Sequence, residues 1–222
     1  QTGGKIQLNR GEYEITETIK LSGNIWLSGA GRGTKLKVVK ANSEGIGILC
    51  KGIDGVEISH LTVTASDSNE STAGVVLDDC GDSKVHDLFA IGFGGYGIWL
   101  KNGCFLSHVS RCTAAGSKKA NLYLDNNQLE RIGNYIPITI SGCITYGGGT
   151  GIECRKSTVI NILGCSVYQA RKIGYHVHEG SCSVLISGCR SFQIGGPAVL
   201  GATTHEFNLT STIFCWHDGH GI

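Results

Sequence analysis

The segment "ITISGCITY" at 138–146 has two echoes further along the chain, "VINILGCSV" at 159–167 and "VLISGCRSF" at 184–192. Each is an alternating run rich in β-branched residues, which reads as strand, broken by a glycine followed by a cysteine. Cys143, Cys165 and Cys189 stand 22 and 24 residues apart, and Cys112 in "VSRC" precedes them in the same series. A regular row of cysteines can mean a metal site, a ladder of disulfides or a structural repeat. Which of these it is decides the fold.

The surrounding sequence repeats at the same interval. "IGILC", "AGVVLD", "YGIWLK", "ANLYLD", "TGIECR", "IGYHVH", "PAVLGA" and the terminal "HGI" align on residues 47, 74, 97, 121, 151, 174, 198 and 221. The steps are 27, 23, 24, 30, 23, 24 and 23, and glycine holds six of the eight positions. A second strand-like segment follows each first one, and no stretch carries a helical apolar stripe. Two or three short strands per turn of about 23 residues, joined by glycine-containing corners, is the pattern of a parallel β-solenoid. The long step of 30 implies an insertion near 126–135, expected to bulge from one corner as a loop.

In a solenoid, equivalent positions of successive coils lie about 4.8 Å apart, the spacing of strands in a sheet. Counted from the glycine register, Cys112, Cys143, Cys165 and Cys189 share one place, which Leu61, Leu88 and Ile213 fill in other coils. A column in which cysteine exchanges with leucine and isoleucine is an interior column, and free cysteine there is a small apolar residue. Tetrahedral zinc requires ligands that converge on a point rather than form a row, and no CxxC pair exists. Disulfides need a specific dihedral, so mostly free thiols are expected. Cys80 and Cys104, in corners of neighbouring coils, are the best-placed pair for a bond.

The opening stretch "GGKIQLNRGEYEITETIKLSGNIWLSGAGRGTKL" at 3–36 resembles the first coils of the pectin-lyase-like superfamily of right-handed parallel β-helices. With the coil period, the resemblance covers nearly the whole chain. It implies an all-β, right-handed parallel β-helix of about eight to nine coils, forming one domain over 1–222. The amphipathic helix that usually caps such proteins is missing, and the chain stops as another coil begins. It therefore reads as a fragment or trimmed chain, or one whose coil ends are covered by a homo-oligomer or another partner, because uncapped coils leave strand edges unpaired.

Composition fits this reading. Of 222 residues, 34 are glycine, 2 proline and none methionine, with 41% hydrophobic, so turns and close approaches are frequent without a disordered composition. The formal charge of +1, without runs of like charge, gives no reason to expect a nucleic-acid or anionic-membrane partner. The most apolar run, "AIGFGGYGIWL" at 90–100, is too short to span a bilayer.

Strand alternation assigns faces. It turns two columns outward: Leu49, Val76, Trp99, Tyr123, Glu153, His176 and Leu200, and beside it Lys51, Asp78, Lys101, Asp125, Arg155, His178 and Ala202. The middle coils thus gather aromatic, acidic, basic and imidazole groups on one ribbon, with bland ends. Trp99, Lys101, Tyr123 and His176 are the expected substrate-binding residues, aromatic rings for stacking on sugars and polar groups for hydroxyls or carboxylates. Asp125, Glu153, Arg155 and His178 are the expected catalytic residues. Outward strand positions are ordinarily polar, so Lys101, Asp125 and Arg155 can equally form a charge ladder, and Trp99 and Tyr123 can pack beneath a loop.

Three chemistries stay open at this point. Asp125 and Glu153, roughly 5–7 Å apart, fit the paired carboxylates of glycoside hydrolysis. Alternatively Arg155 or Lys101 neutralises a uronate while His176, His178 or a lysine removes its C5 proton, giving a lyase or epimerase. A metal held by Asp125, Glu153 and His178 is the third. No cofactor or metal site is assigned, with Ca2+ left open. The fold resemblance implies a polysaccharide or oligosaccharide partner and an extracellular or cell-surface setting; the other class is a non-catalytic module such as a phage tailspike shaft or adhesin.

Motifs of particular enzymes fail. "DD" at 78–79 and "GHG" at 219–221 lie far apart, where the polygalacturonases of this superfamily carry them about one coil apart, and "NTD", "RIK" and "DPH" are absent. "GAGRGT" at 29–34 lacks the ending of a P-loop and reads as the first corner of the solenoid. "HDGH" at 217–220 reads as a solvated turn.

Overall fold

The computed structural model describes residues 3–40, 42–67, 71–127, 137–202 and 205–217. Most of the 126–135 insertion, the terminal repeat at 220–222 and most of "HDGH" lie outside the described residues. Among these residues every third strand belongs to the same sheet, giving two nine-stranded sheets and one eight-stranded sheet, all parallel. The chain is therefore a three-sided, right-handed parallel β-helix of about eight turns, as the resemblance implied. No helix occurs among the described residues.

One coil shows the plan. A strand of the first sheet, Ile138–Ser141, is followed by Ile144–Tyr146 in the second and Thr150–Arg155 in the third. Corners between the first two sheets turn on a single left-handed residue. His60, Asp87, Arg111, Gly142, Gly164, Gly188 and Ser211 occupy it with φ between 49° and 62°. The N–H groups of Arg111, Gly142 and Gly164 donate to carbonyls of the next coil at 2.9–3.0 Å, so the ladder continues through the bend. Glycine enters left-handed φ without a Cβ penalty, which explains the glycine before Cys143, Cys165 and Cys189.

The residue after that bend points inward. Register places Leu61, Leu88, Cys112, Cys143, Cys165 and Cys189 in one column, directly before the paired row Thr62, Phe89, Thr113, Ile144, Ser166 and Arg190. All six are at most 1% exposed. Ile213 corrects the expectation: it pairs with Arg190 in the outward row and is 55% exposed, so Thr212 holds the column's place in that coil. All ten cysteines are free. The Cys80–Cys104 bond does not form; instead Cys80 Sγ donates to the Asp78 carbonyl at 3.5 Å, and Cys104 Sγ to those of Leu77 and Lys101 at 3.4 Å.

The aligned glycines have a different cause. A Cβ on Gly47 or Gly74 would lie 2.7 Å from the carbonyl oxygen of the glycine one coil on, and one on Gly151 would lie 2.6 Å from that of Gly174. Stacking at strand spacing leaves no room there for a side chain. Just after them runs the main interior column, Ile48, Val75, Ile98, Leu122, Ile152, Tyr175 and Val199, in unbroken register. Tyr175 is the one polar-tipped member, and its hydroxyl reaches the carbonyls of Cys165 and Arg190, each at 2.9 Å. "GAGRGT" is a corner between strands Ile25–Ser28 and Thr34–Val38, held by Ala30 N–H donating to Thr34 Oγ1 at 2.8 Å.

Candidate functional site

The third sheet presents the ribbon. Register confirms Leu49, Val76, Trp99, Tyr123, Glu153, His176 and Leu200 as one column and Lys51, Asp78, Lys101, Asp125 and Arg155 as the next. His178 continues the second column one residue beyond the Cys154–Val177 pair, with its N–H donating to the Cys154 carbonyl at 2.8 Å.

The ribbon divides into two halves. In the first, Trp99 and Tyr123 are joined by Tyr96, which lies parallel to Tyr123 at 4.4 Å between ring centroids and tilted on Trp99 at 4.7 Å. Tyr96 escapes the alternation rule because Gly97 and Ile98 both face inward: a Cβ on Gly97 would meet Ala114, and Ile98 is fully buried. Tyr123 is only 4% exposed. It is therefore a platform for Tyr96 rather than a free stacking surface, and Tyr96 and Trp99, both half-buried, are the accessible members. Burial pushes the Tyr123 phenol up to about 12, against the lowering effect of a hydrogen bond from Arg155. Lys101 sits 4.4 Å above the Trp99 ring and 3.3 Å from Asp78, so the ladder partner of Lys101 is Asp78, which also accepts from Asn102 at 2.8 Å.

The second half is polar. His178 Nε2 lies 2.7 Å from Glu153 Oε1. An ionised carboxylate only accepts, so in the neutral imidazole Nε2 carries the proton and Nδ1 the lone pair. His176 lies tilted against His178 with ring centroids 3.6 Å apart. Burial, reinforced by the neighbouring His178, lowers His176 to about 4 and keeps its imidazole neutral at ordinary pH. Arg155, beside Glu153 on the same face, is exposed. Asp125 faces Arg155 and Tyr123 faces Glu153, so the two expected carboxylates are diagonal neighbours, and the group bonded to Glu153 is His178 rather than Asp125. The three ligand-bearing groups that converge are Glu153, His176 and His178, within 4.8 Å of one another, with His176 in the place expected for Asp125.

A second polar cluster lies at the corner between the first two sheets. His86 bonds Asp87 through Nδ1 at 2.8 Å and Glu57 through Nε2 at 3.1 Å, and Arg111 grips Asp87 with two bonds at 2.9 and 2.7 Å. The Arg111 guanidinium, aided by His86, holds the Asp87 carboxyl well below the usual carboxylate range. The left-handed corner column, His60, Asp87 and Arg111, turns consecutive corner side chains to one line and so assembles this cluster.

Known proteins support the architecture. The chain is similar to Geobacillus virus E2 ORF18 at 15% identity and a TM-score of 0.66, covering 99% of this chain and 55% of that one. It is also similar to the mannuronan C-5 epimerase AlgE6 A-module of Azotobacter vinelandii, at 13% identity, a TM-score of 0.63, and 94% and 68% coverage. A third likeness is the pectin methylesterase of Aspergillus niger, at 12% identity, a TM-score of 0.51, and 99% and 77% coverage. The chain thus spans about half the length of the viral protein. At these identities the likeness is one of fold. No protein-family model and no curated protein matches the sequence.

Proposed function

We propose that the ribbon binds a uronate-containing polysaccharide and removes a proton from the carbon next to its carboxylate, as a lyase or epimerase. The observation that carries this is the 2.7 Å His178–Glu153 pair. A base oriented by a second group is the arrangement that general-base chemistry requires. Glu153 fixes the imidazole, so Nδ1 is the proton acceptor. Arg155, exposed one column across, pairs with the uronate carboxylate and makes its α-proton more acidic. Tyr96 and Trp99 offer ring faces to neighbouring sugars.

In elimination, His178 takes the C5 proton, the C4–O bond breaks with its electrons passing to oxygen, and a C4–C5 double bond forms. The leaving oxygen needs a proton, which the imidazolium can return or water can supply. Hydrolysis fits less well, because the carboxylate best placed to donate a proton, Glu153, is an acceptor bonded to His178. Two fold-mates, an epimerase and a methylesterase by their names, act on polymers of this class, and a polymeric substrate implies work outside the cell or on its surface.

The test is a panel of uronate and neutral polysaccharides assayed for unsaturated ends, reducing ends and inverted C5 centres. Unsaturated ends or inversion, lost in Glu153→Gln and His178→Ala, are expected. Saturated reducing ends lost in both Asp125→Asn and Glu153→Gln would mean hydrolysis. Binding without any product would make the chain a non-catalytic carbohydrate-binding module.

A further inference from the structure

Glu153 and His176 are directly paired across adjacent strands, and His178 lies two residues beyond His176 on the same outward face. The sheet spacing therefore brings two imidazoles and one carboxylate to a point, with one ligand atom from each within 4.8 Å of the others. The His176 ring makes no hydrogen bond among the described residues, so its nitrogens have no competing partner among them. Two histidines and a glutamate open to solvent on one side are the donor set of zinc-type sites that keep a free position. Calcium and magnesium require a shell of six or more oxygens, and nitrogen donors favour later transition ions.

We infer that Glu153, His176 and His178 form a binding site for one zinc-class divalent ion (Zn2+, Ni2+ or Co2+). Metal and the His178–Glu153 hydrogen bond exclude each other. The ion takes Nε2 of His178 and an oxygen of Glu153, so the Nε2 proton moves to Nδ1, the nitrogen that otherwise accepts a proton from substrate. Metal-bound protein thus has no base. That consequence rests on the proton-abstraction reading; the site itself does not. The other convergent group, His60, His86 and Asp87, is a natural control: both nitrogens of His86 are bonded and Asp87 is gripped by the Arg111 cation, so an ion there would compete with bonds already made and meet a positive charge.

The test is calorimetric titration of the metal-free chain with ZnCl2, with Co2+ absorption as a second readout and circular dichroism to confirm that variants fold. One ion per chain is expected. His176→Ala should weaken binding by at least about 100-fold, more than the loss of an outer-shell partner costs, while His86→Ala should leave it unchanged and CaCl2 should give no saturable heat at these residues. Absence of zinc binding, or binding lost in His86→Ala and kept in His176→Ala, overturns the inference. Where a polymer is turned over, zinc should stop the reaction and a chelator restore it; turnover indifferent to a saturating zinc site removes the inhibitory role. Zinc binding without turnover of any polymer leaves the site standing and counts against the proton-abstraction reading alone.

Discussion

The interior cysteine column and the outward ribbon are built by the same register and obey opposite rules. Inside, Leu61, Leu88, Cys112, Cys143, Cys165 and Cys189 replace one another freely, because the only demand is an apolar group of moderate volume at most 1% exposed. Outside, Trp99, Tyr123, Glu153 and His176 follow one another with no common size, charge or shape. Packing accounts for the first column and gives no reason for the second. A repeat protein thus separates structure from chemistry by face: monotony marks what the fold requires, and departure from it marks what the fold does not explain.

The largest contrast concerns the thiols. Burial pushes Cys104 and Cys154 up to about 12, and both are at most 1% exposed, whereas Cys182 and Cys215 are half-buried. A thiol reagent at mildly alkaline pH should modify Cys182 and Cys215 quickly and the other eight only through opening of the coils, slower by at least about a thousandfold for a domain of ordinary stability. All ten should react in denaturant. Fast native labelling of Cys143 or Cys165 would break the interior assignment.

Next in size is the ribbon's chemistry. His178→Ala is expected to lower turnover by about 10²–10⁴-fold, the range for a general base, and to leave the thermal midpoint within a few degrees, because the side chain faces outward. The sharpest discriminating outcome is a large fall in stability with the fall in activity, which would make the Glu153–His178 pair part of the scaffold. Third is Gly151→Ala. Its Cβ would press on the Gly174 carbonyl oxygen, 2.6 Å away, and on Val167, so a loss of about 3 kcal/mol is expected by denaturant titration, at the upper end for overpacking.

How far the sequence could be read follows from the same contrast. The repeat gave the coils, the glycine column and the outward register, since each depends on period alone. Tyr96 was hidden because alternation slips at Gly97, where two successive positions face inward. The Glu57–His86–Asp87–Arg111 cluster was hidden because three of its members sit at or beside left-handed corner residues, where strand alternation no longer says which way a side chain points. Ile213 was misplaced by one residue, and in a strand one residue is the difference between core and solvent. The Cys80–Cys104 pairing failed on orientation, which spacing does not encode: the thiols address carbonyls rather than each other. The bond between Lys101 and Asp78 depends on rotamers, which spacing does not encode either.

The smallest predicted effect separates the two kinds of glycine in this chain. Gly164 bends the corner with φ of 60°, and a Cβ there would find nothing within 4 Å. Its requirement is purely one of backbone angle, and other coils satisfy it with Asp87, Arg111 and Ser211. Gly164→Ala should therefore cost about 1 kcal/mol, the strain of one left-handed non-glycine residue, against about three times that at Gly151. Gly164→Asn should recover part of the loss, since asparagine tolerates this region better than alanine, whereas Gly151→Asn should be worse than Gly151→Ala. Equal costs at the two glycines, or rescue by asparagine at both, would mean that close approach and left-handed φ are not separate causes in this chain.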